Sequence, residues 1–357
     1  RGKGKLNIRQ TDMDAFEVGR NTAVSPGAVI WQNNVLQLIQ YAPTTEKTHA
    51  KPLLFIPPWI NKFYILDLNP KKSMVKWLVD QGHTVFVVSW VNPDERQAGE
   101  TWESYMFDGA SAAIDKVLEE TGQKSLNIAG YCVGGTLTGT LLAYMGKTGD
   151  KRVSSTTLFT AQLDFTDAGE LQILVDEQML GVIGDEMQKG FMPADRMASA
   201  FNMLRANDLI WGYVVNNYML GKDPFPFDLL YWNADSTAMP AKVHSFYLDE
   251  FYVRNTFAKG EFTVRDTPLS LSDIKGPVYH VATREDHIAP AASVYRGAKE
   301  MTKADLRFIL SGSGHIAGVI NPPAQGKYQF WTNPDMSGAE VATWLEGAEE
   351  TPGSWWG

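Results

Sequence analysis

The chain has 357 residues, 44% hydrophobic and 20% charged, a composition that excludes disorder and fibre and gives enough length to bury a full core. Its 32 Lys and Arg against 41 Asp and Glu leave a net charge of −9 with no basic block, which disfavours nucleic-acid binding and leaves small molecules open. The longest apolar stretch, Leu53 to Leu66, is broken by Pro57, Pro58, Asn61 and Lys62 and falls far short of the roughly 20 residues of a membrane helix, so no span is expected.

The opening stretch, Arg1 to Asp14, is polar and lacks the apolar segment of a secretory signal, and its start without Met reads as a trimmed beginning. The single cysteine, Cys132, rules out an intramolecular disulfide and a Cys-rich zinc site and makes the cytoplasm the natural compartment. A lone cysteine is by default an inert small hydrophobe, so its surroundings must argue for more.

Residues 28 to 41 form two apolar runs around Asn33 and Asn34 and predict a β-hairpin. An apolar run from Pro52 to Pro57 follows, then a helical stretch from Pro70 to Gln81, a run from His83 to Val91, and an amphipathic stretch from Glu103 to Thr121. Ser125 to Tyr131 reads as a strand, Thr136 to Met145 as a helix, and Val153 to Phe165 as another strand. Buried strands separated by amphipathic helices predict a mostly parallel sheet with helices on both faces.

From Thr166 to Ser272 the alternation gives way to irregular helical segments, the turn Asp223-Pro224-Phe225-Pro226, and more than half of the 13 methionines, namely Met179, Met187, Met192, Met197, Met203, Met219 and Met239. Such flexible thioethers suit variable apolar partners, although ordinary core packing is the plainer reading. Alternation resumes with Pro277 to Thr283, Pro290 to Met301, Leu306 to Leu310 and a helix near Ser337 to Leu345. The expected organisation is one α/β domain, with a first core part over 1–165, an inserted cap over 166–272 and a second core part over 273–357. The cap is expected to cover the active site and to move, with rapid amide exchange in parts of 166–240.

Gly130-Tyr131-Cys132-Val133-Gly134 fits G-x-C-x-G between a strand and a helix, a nucleophile elbow with sulfur in place of oxygen. The turn needs small residues on both sides of the nucleophile, and it sets Cys132 at a helix N-terminus, where the dipole favours the thiolate. A dinucleotide-binding G-x-G-x-x-G fails because Cys132 stands where that motif requires its second glycine. An elbow alone is weak evidence; its partners should follow as an acid and then a histidine, each on a loop after a strand.

Both follow. Arg284-Glu285-Asp286-His287 succeeds one strand, and Ser313-Gly314-His315-Ile316-Ala317-Gly318 succeeds the next. Of the 6 histidines, His315 fits the base by position, His287 is the competitor, His83 opens a strand, His280 lies inside one, and His49 and His244 lack a loop of this kind. Asp286 is preferred to Glu285 as the acid. One oxyanion donor is expected from the backbone N–H of Val133 and the second from Trp59, Ile60 or Asn61, with Ile60 chosen, because Pro57 and Pro58 have none.

Pro57-Pro58-Trp59-Ile60-Asn61-Lys62-Phe63-Tyr64-Ile65-Leu66-Asp67-Leu68, Gly130 to Thr136, Pro226-Phe227-Asp228-Leu229-Leu230-Tyr231-Trp232-Asn233, Arg284 to His287, Ser313 to Pro323 and Gly353-Ser354-Trp355-Trp356 together resemble the catalytic domain of a polyhydroxyalkanoate synthase, class I type. The resemblance runs nearly end to end, with the family's separate N-terminal region and its tail beyond Trp356 outside this sequence. It implies the α/β-hydrolase fold, a (R)-3-hydroxyacyl-coenzyme A substrate such as 3-hydroxybutyryl-CoA, and a growing polyester with free CoA as products. A homodimer at the polyester granule surface in the cytoplasm is implied too. No metal or cofactor is required, CoA being part of the substrate.

On that reading His315 deprotonates Cys132, the thiolate takes the acyl group, and a 3-hydroxyl extends the chain, with Asp286 either orienting His315 or helping to deprotonate the hydroxyl. The same residues would serve a thioesterase or polyester hydrolase if water ended the acyl-enzyme. A non-catalytic granule-binding relative would have lost one of the three, and this chain keeps all of them.

Overall fold

The computed structural model describes residues 9–204 and 206–357; the polar opening through residue 8 and the side chain of Met179, both noted above, lie outside that description. Ten strands form the main sheet, in the order β1-β2-β4-β3-β5-β6-β11-β12-β13-β14 once the short strands between β6 and β11 are numbered with the rest. The hairpin falls where the sequence puts it, as β1 (Gly27–Gln32) and β2 (Leu36–Tyr41). Its turn closes because the Asn33 side-chain oxygen accepts the N–H groups of Val35 and Leu36, each at 3.0 Å.

The centre of the sheet is parallel, built from β3 (Leu53–Ile56), β4 (Val85–Trp90), β5 (Leu126–Tyr131), β6 (Val153–Phe159), β11 (Gly276–Thr283) and β12 (Ala304–Ser311). The antiparallel β2 joins β4 at one edge, and β13 (Gln329–Thr332) and β14 (Glu349–Pro352) extend the other. Successive strand residues point to opposite faces, so Leu54 and Ile56 join one core cluster while Phe55 joins the other. These strands are covered on both sides and read as continuous apolar runs for that reason.

The helical stretch expected over 70–81 begins later, as α1 (Met74–Asp80), because Ser73 caps it by accepting the Lys76 N–H at 2.8 Å. The amphipathic stretch near 103–121 is α2 (Trp102–Ser104), a π-helical segment over Tyr105–Ser111 and α3 (Ala112–Thr121) in succession. After β5 the chain enters α4 (Val133–Thr148), most of whose side chains are buried.

The strand expected over Val153 to Phe165 ends at Phe159, where Thr160 takes φ 42° and turns the chain out of the sheet. Between there and β11 come α5 (Glu177–Glu186), α6 (Ala194–Leu204), two π-helical turns, α7 (Asp228–Ala234), α8 (Ala241–Tyr247), a third π-helical turn over Leu248–Val253 and α9 (Thr256–Lys259). Two small antiparallel pairs accompany them, β7 (Phe191–Met192) with β8 (Met239–Pro240) and β9 (Phe262–Val264) with β10 (Thr267–Leu269). The fold closes through α10 (Ala291–Lys299) and α11 (Val341–Glu346). No helix among the described residues is long and apolar enough to cross a membrane.

Candidate active site

Cys132 lies between β5 and α4 with φ 52° and ψ −127°, a strained conformation for a residue with a side chain. Its N–H donates to Phe159 O at 2.9 Å, and its carbonyl accepts from Gly135 and Thr136 at 2.8 and 3.0 Å, so the turn is fixed on both sides. The two flanking glycines are required by close packing. A Cβ on Gly130 would stand 2.7 Å from Gly135 Cα, and one on Gly134 would stand 2.3 Å from Ile56 O and 2.5 Å from Pro57 O. The sulfur-bearing residue itself is half-buried.

The strand ends bring the acid and base together. His315 Nδ1 lies 2.7 Å from Asp286 Oδ2, with both side chains buried. The remaining positions on the carboxylate are filled: Thr283 Oγ1 donates to Oδ2 at 3.0 Å, and the N–H groups of Ile288 and Ala289 donate to Oδ1 at 2.9 Å each. Burial pushes the Asp286 carboxyl up, but the charge of His315 and these hydrogen bonds outweigh it and hold the group below its ordinary range. Burial likewise pulls His315 down, while the charges of Asp286 and Cys132 and hydrogen bonds to both raise it well above the ordinary imidazole value. With Nδ1 committed to the carboxylate, Nε2 is the nitrogen left to serve Cys132. Asp286, and not Glu285, meets His315; Glu285 is exposed and uses its N–H on Ser313 O.

The His315 loop is tied down from two sides. Tyr131, next to the cysteine, donates its phenol to His315 O at 2.9 Å, and the indoles of Trp355 and Trp356 donate to Gly318 O and Val319 O at 2.8 and 2.9 Å. The loop after β3 is anchored by Trp59, which packs on Trp90, Trp102 and Tyr105, and by the Trp90 indole, which donates to Pro57 O at 2.8 Å. Thr237 Oγ1 bonds the carbonyls of Trp59 and Ile60 at 2.6 and 2.5 Å, so the Ile60 carbonyl faces away into that hydroxyl.

Cys132, Val133, Ile60 and His315 share the wall of one cavity of about 350 Å³. Much of the remaining wall comes from the segment between β6 and β11, including Ile183 of α5, Met197 and Phe201 of α6, His244 and Tyr247 of α8, and Leu248 just after it. His244 lacks a strand-end loop in the sequence, yet its helix lays it on the cavity wall; with Tyr247 and Leu248 it follows the i, i+3, i+4 spacing of one helix face. That spacing is the one available signal, and it does not say what the face meets. Burial, followed by nearby tyrosine or Cys132 charge, raises the phenols of Tyr247 and Tyr252 well above their ordinary value, so both stay neutral on the cavity wall. Among the described residues no group of three His, Cys, Asp or Glu side chains could hold a metal ion.

Comparison with known proteins places the chain in a family. The chain matches the α/β-hydrolase fold family over residues 51–322 and the family described as poly-β-hydroxybutyrate polymerase (PhaC) N-terminus over residues 1–78. It is 54% identical over 356 residues to the poly(3-hydroxyalkanoate) polymerase subunit PhaC of Rhizobium meliloti (strain 1021), covering 99% of this chain and 58% of that protein. The poly(3-hydroxyalkanoate) polymerase of Methylorubrum extorquens is 54% identical over 358 residues, 99% of this chain and 59% of its own length. The subunit PhaC of Cupriavidus necator is 46% identical over 361 residues, 99% and 61% respectively. This chain therefore spans less than two thirds of each of these relatives. The chain belongs to the α/β-hydrolase fold family and, within it, is a relative of the poly(3-hydroxyalkanoate) polymerases.

Proposed function

We propose that this chain polymerises 3-hydroxyacyl-CoA into polyester, with 3-hydroxybutyryl-CoA as a substrate, through an acyl group carried on Cys132. The observation that carries the reading is a cysteine on a nucleophile elbow sharing a cavity with a histidine that is bonded to a buried carboxylate at 2.7 Å. The names of the relatives supply the substrate class.

In this scheme His315 Nε2 takes the thiol proton, and the Cys132 sulfur attacks the thioester carbonyl carbon. Negative charge on the carbonyl oxygen is met by the N–H of Val133, at the start of α4, and of Ile60. The carbon–sulfur bond to CoA breaks, and CoA leaves with the proton from His315. The hydroxyl of a 3-hydroxyacyl unit then attacks the acyl-enzyme, its proton passing to His315 as the Cys132 sulfur departs. Asp286 keeps Nδ1 occupied and stabilises the imidazolium in both halves. The chemistry calls for no cofactor, since CoA enters as part of the substrate.

The segment 166–272 serves as a cap on this reading. Its apolar contribution to the cavity wall supports transfer to a hydroxyl over transfer to water. Exposed Trp211, Tyr218, Met219, Leu220 and Phe225 support a further contact of this segment with apolar polyester.

The test is to supply 3-hydroxybutyryl-CoA and follow CoA release and products together. The parent should release CoA and yield oligomers or polymer, and Cys132→Ala should do neither. Free 3-hydroxybutyrate in step with CoA would make the chain a thioesterase, and CoA release by Cys132→Ala would remove Cys132 from the scheme.

A further inference from the structure

Two polar side chains on the cavity wall lack partners. Thr160, at the end of β6, is fully buried with φ 42°, a conformation a β-branched residue rarely adopts. Its backbone N–H donates to Val281 O at 2.7 Å, but its hydroxyl oxygen is buried and bonds to nothing. His244 of α8 is 9% exposed and likewise leaves Nδ1 buried without a partner. Both line the cavity that holds Cys132.

Three other polar side chains on that wall, Thr136, Gln162 and Arg196, are already used. Thr136 Oγ1 donates to Gln162 O at 2.8 Å, Gln162 Nε2 donates to Ser293 Oγ at 3.0 Å, and Arg196 pairs with Glu186 at 3.1 Å. An unbonded buried polar group and a left-handed threonine are both costly, and folds retain such features where a ligand completes them. Two of them in one largely apolar cavity imply a ligand with a polar group of its own.

We propose that Thr160 and His244 form a polar subsite that hydrogen-bonds the 3-hydroxyl of the bound acyl group and makes the enzyme select 3-hydroxyacyl thioesters over plain acyl thioesters. This rests on the acyl-transfer reading above. A hydroxyl both donates and accepts, and so do the threonine hydroxyl and a neutral imidazole. Burial holds His244 down at about 4, so the ring stays neutral at ordinary pH and keeps one donor and one acceptor. The carbonyl oxygen of the same acyl group has its own donors in Val133 and Ile60, which leaves the hydroxyl as the oxygen still to be met. A site built around a hydroxyl discriminates strongly against an analogue without it, because its own polar groups are then stranded.

The experiment measures first-turnover CoA release with 3-hydroxybutyryl-CoA and with butyryl-CoA, which differ by one oxygen. The proteins are the parent, Thr160→Val, His244→Leu and His244→Asn. Thr160→Val keeps the shape and the β-branch, and His244→Asn keeps a donor and an acceptor. The parent should prefer the hydroxylated substrate; Thr160→Val and His244→Leu should each lose about tenfold of that preference, and His244→Asn should lose less. Equal losses on both substrates would mean a purely structural role, and an unchanged preference in both variants would mean that the two groups hold only water; either result overturns the subsite. A parent that takes both substrates equally overturns the subsite alone, whereas a parent that takes neither overturns the acyl-transfer reading and the subsite with it.

Discussion

The phenol of Tyr131 donates to the backbone carbonyl of His315 at 2.9 Å, so the residue before the nucleophile holds the loop that carries the base. The two rings lie 5.8 Å apart and the tyrosine is fully buried, which leaves this hydroxyl no water to fall back on. Nucleophile and base are thereby registered to one another through a single side chain. Tyr131→Phe strands a buried carbonyl and should cost about 1–3 kcal/mol of stability, with a fall in first-turnover CoA release at unchanged substrate saturation. Urea unfolding and rapid-quench kinetics check the two parts; a variant of parental stability and rate would show that the contact does not register the loop.

The elbow makes a sterner demand at Gly134. A methyl there would meet Ile56 O at 2.3 Å and Pro57 O at 2.5 Å, both backbone atoms that cannot swing aside. Gly134→Ala should be destabilised by about 1–3 kcal/mol or fail to fold, whereas Gly122→Asn, at φ 64° with open space around it, should change stability by only a few tenths. Comparing the urea midpoints of the two variants measures the contrast, and equal effects would contradict it.

How much of this is legible in the sequence depends on whether local spacing or tertiary contact decides the matter. The hairpin at Asn33, the elbow at Cys132 and the loops carrying Asp286 and His315 each follow from a short pattern at a strand end, and each is found there. The end of β6 escapes the sequence because Phe159 and the apolar residues after it, Ala161 and Leu163, are all buried, so hydropathy does not register the left-handed turn at Thr160. β13 and β14 carry too little alternation in Gln-Phe-Trp-Thr and Glu-Glu-Thr-Pro to announce strands; β13 forms because β12 offers it an edge, and β14 pairs in turn with β13. His244 reads as an ordinary helical residue until α8 is seen to pack over the cavity.

Buried histidines give a pH signature. His280 is fully buried in β11, its Nε2 lies 3.1 Å from Ala161 O, and burial holds it down at about 4. A histidine depressed in the folded state binds its proton preferentially when unfolded, so the fold loses stability as pH falls from about 6.5 towards 4. His280→Gln can still reach Ala161 O but does not titrate. The stability of the parent relative to this variant should therefore fall by up to about 3 kcal/mol over that window and stay constant above it. Urea titrations at a series of pH values test this, and a difference independent of pH would refute the neutral buried state.

The segment over the cavity should open more easily than the sheet. Trp211, Val215, Tyr218, Met219 and Leu220 are exposed, so this part of the chain surrenders little buried apolar surface when it opens. Amide exchange over parts of 166–240 should be faster than in β5, β6 and β11 by several orders of magnitude, and uniformly strong protection there would contradict a moving cap.

The proposed reaction turns on a covalent acyl group on Cys132. The parent is mixed with 3-hydroxybutyryl-CoA, quenched in acid within the first turnovers and digested, and the peptide that contains Cys132 is weighed. This peptide should carry one or more 3-hydroxybutyryl units, and the mass increase should disappear in Cys132→Ala. CoA release with an unmodified Cys132 peptide, or the acyl group on any other residue, would contradict it.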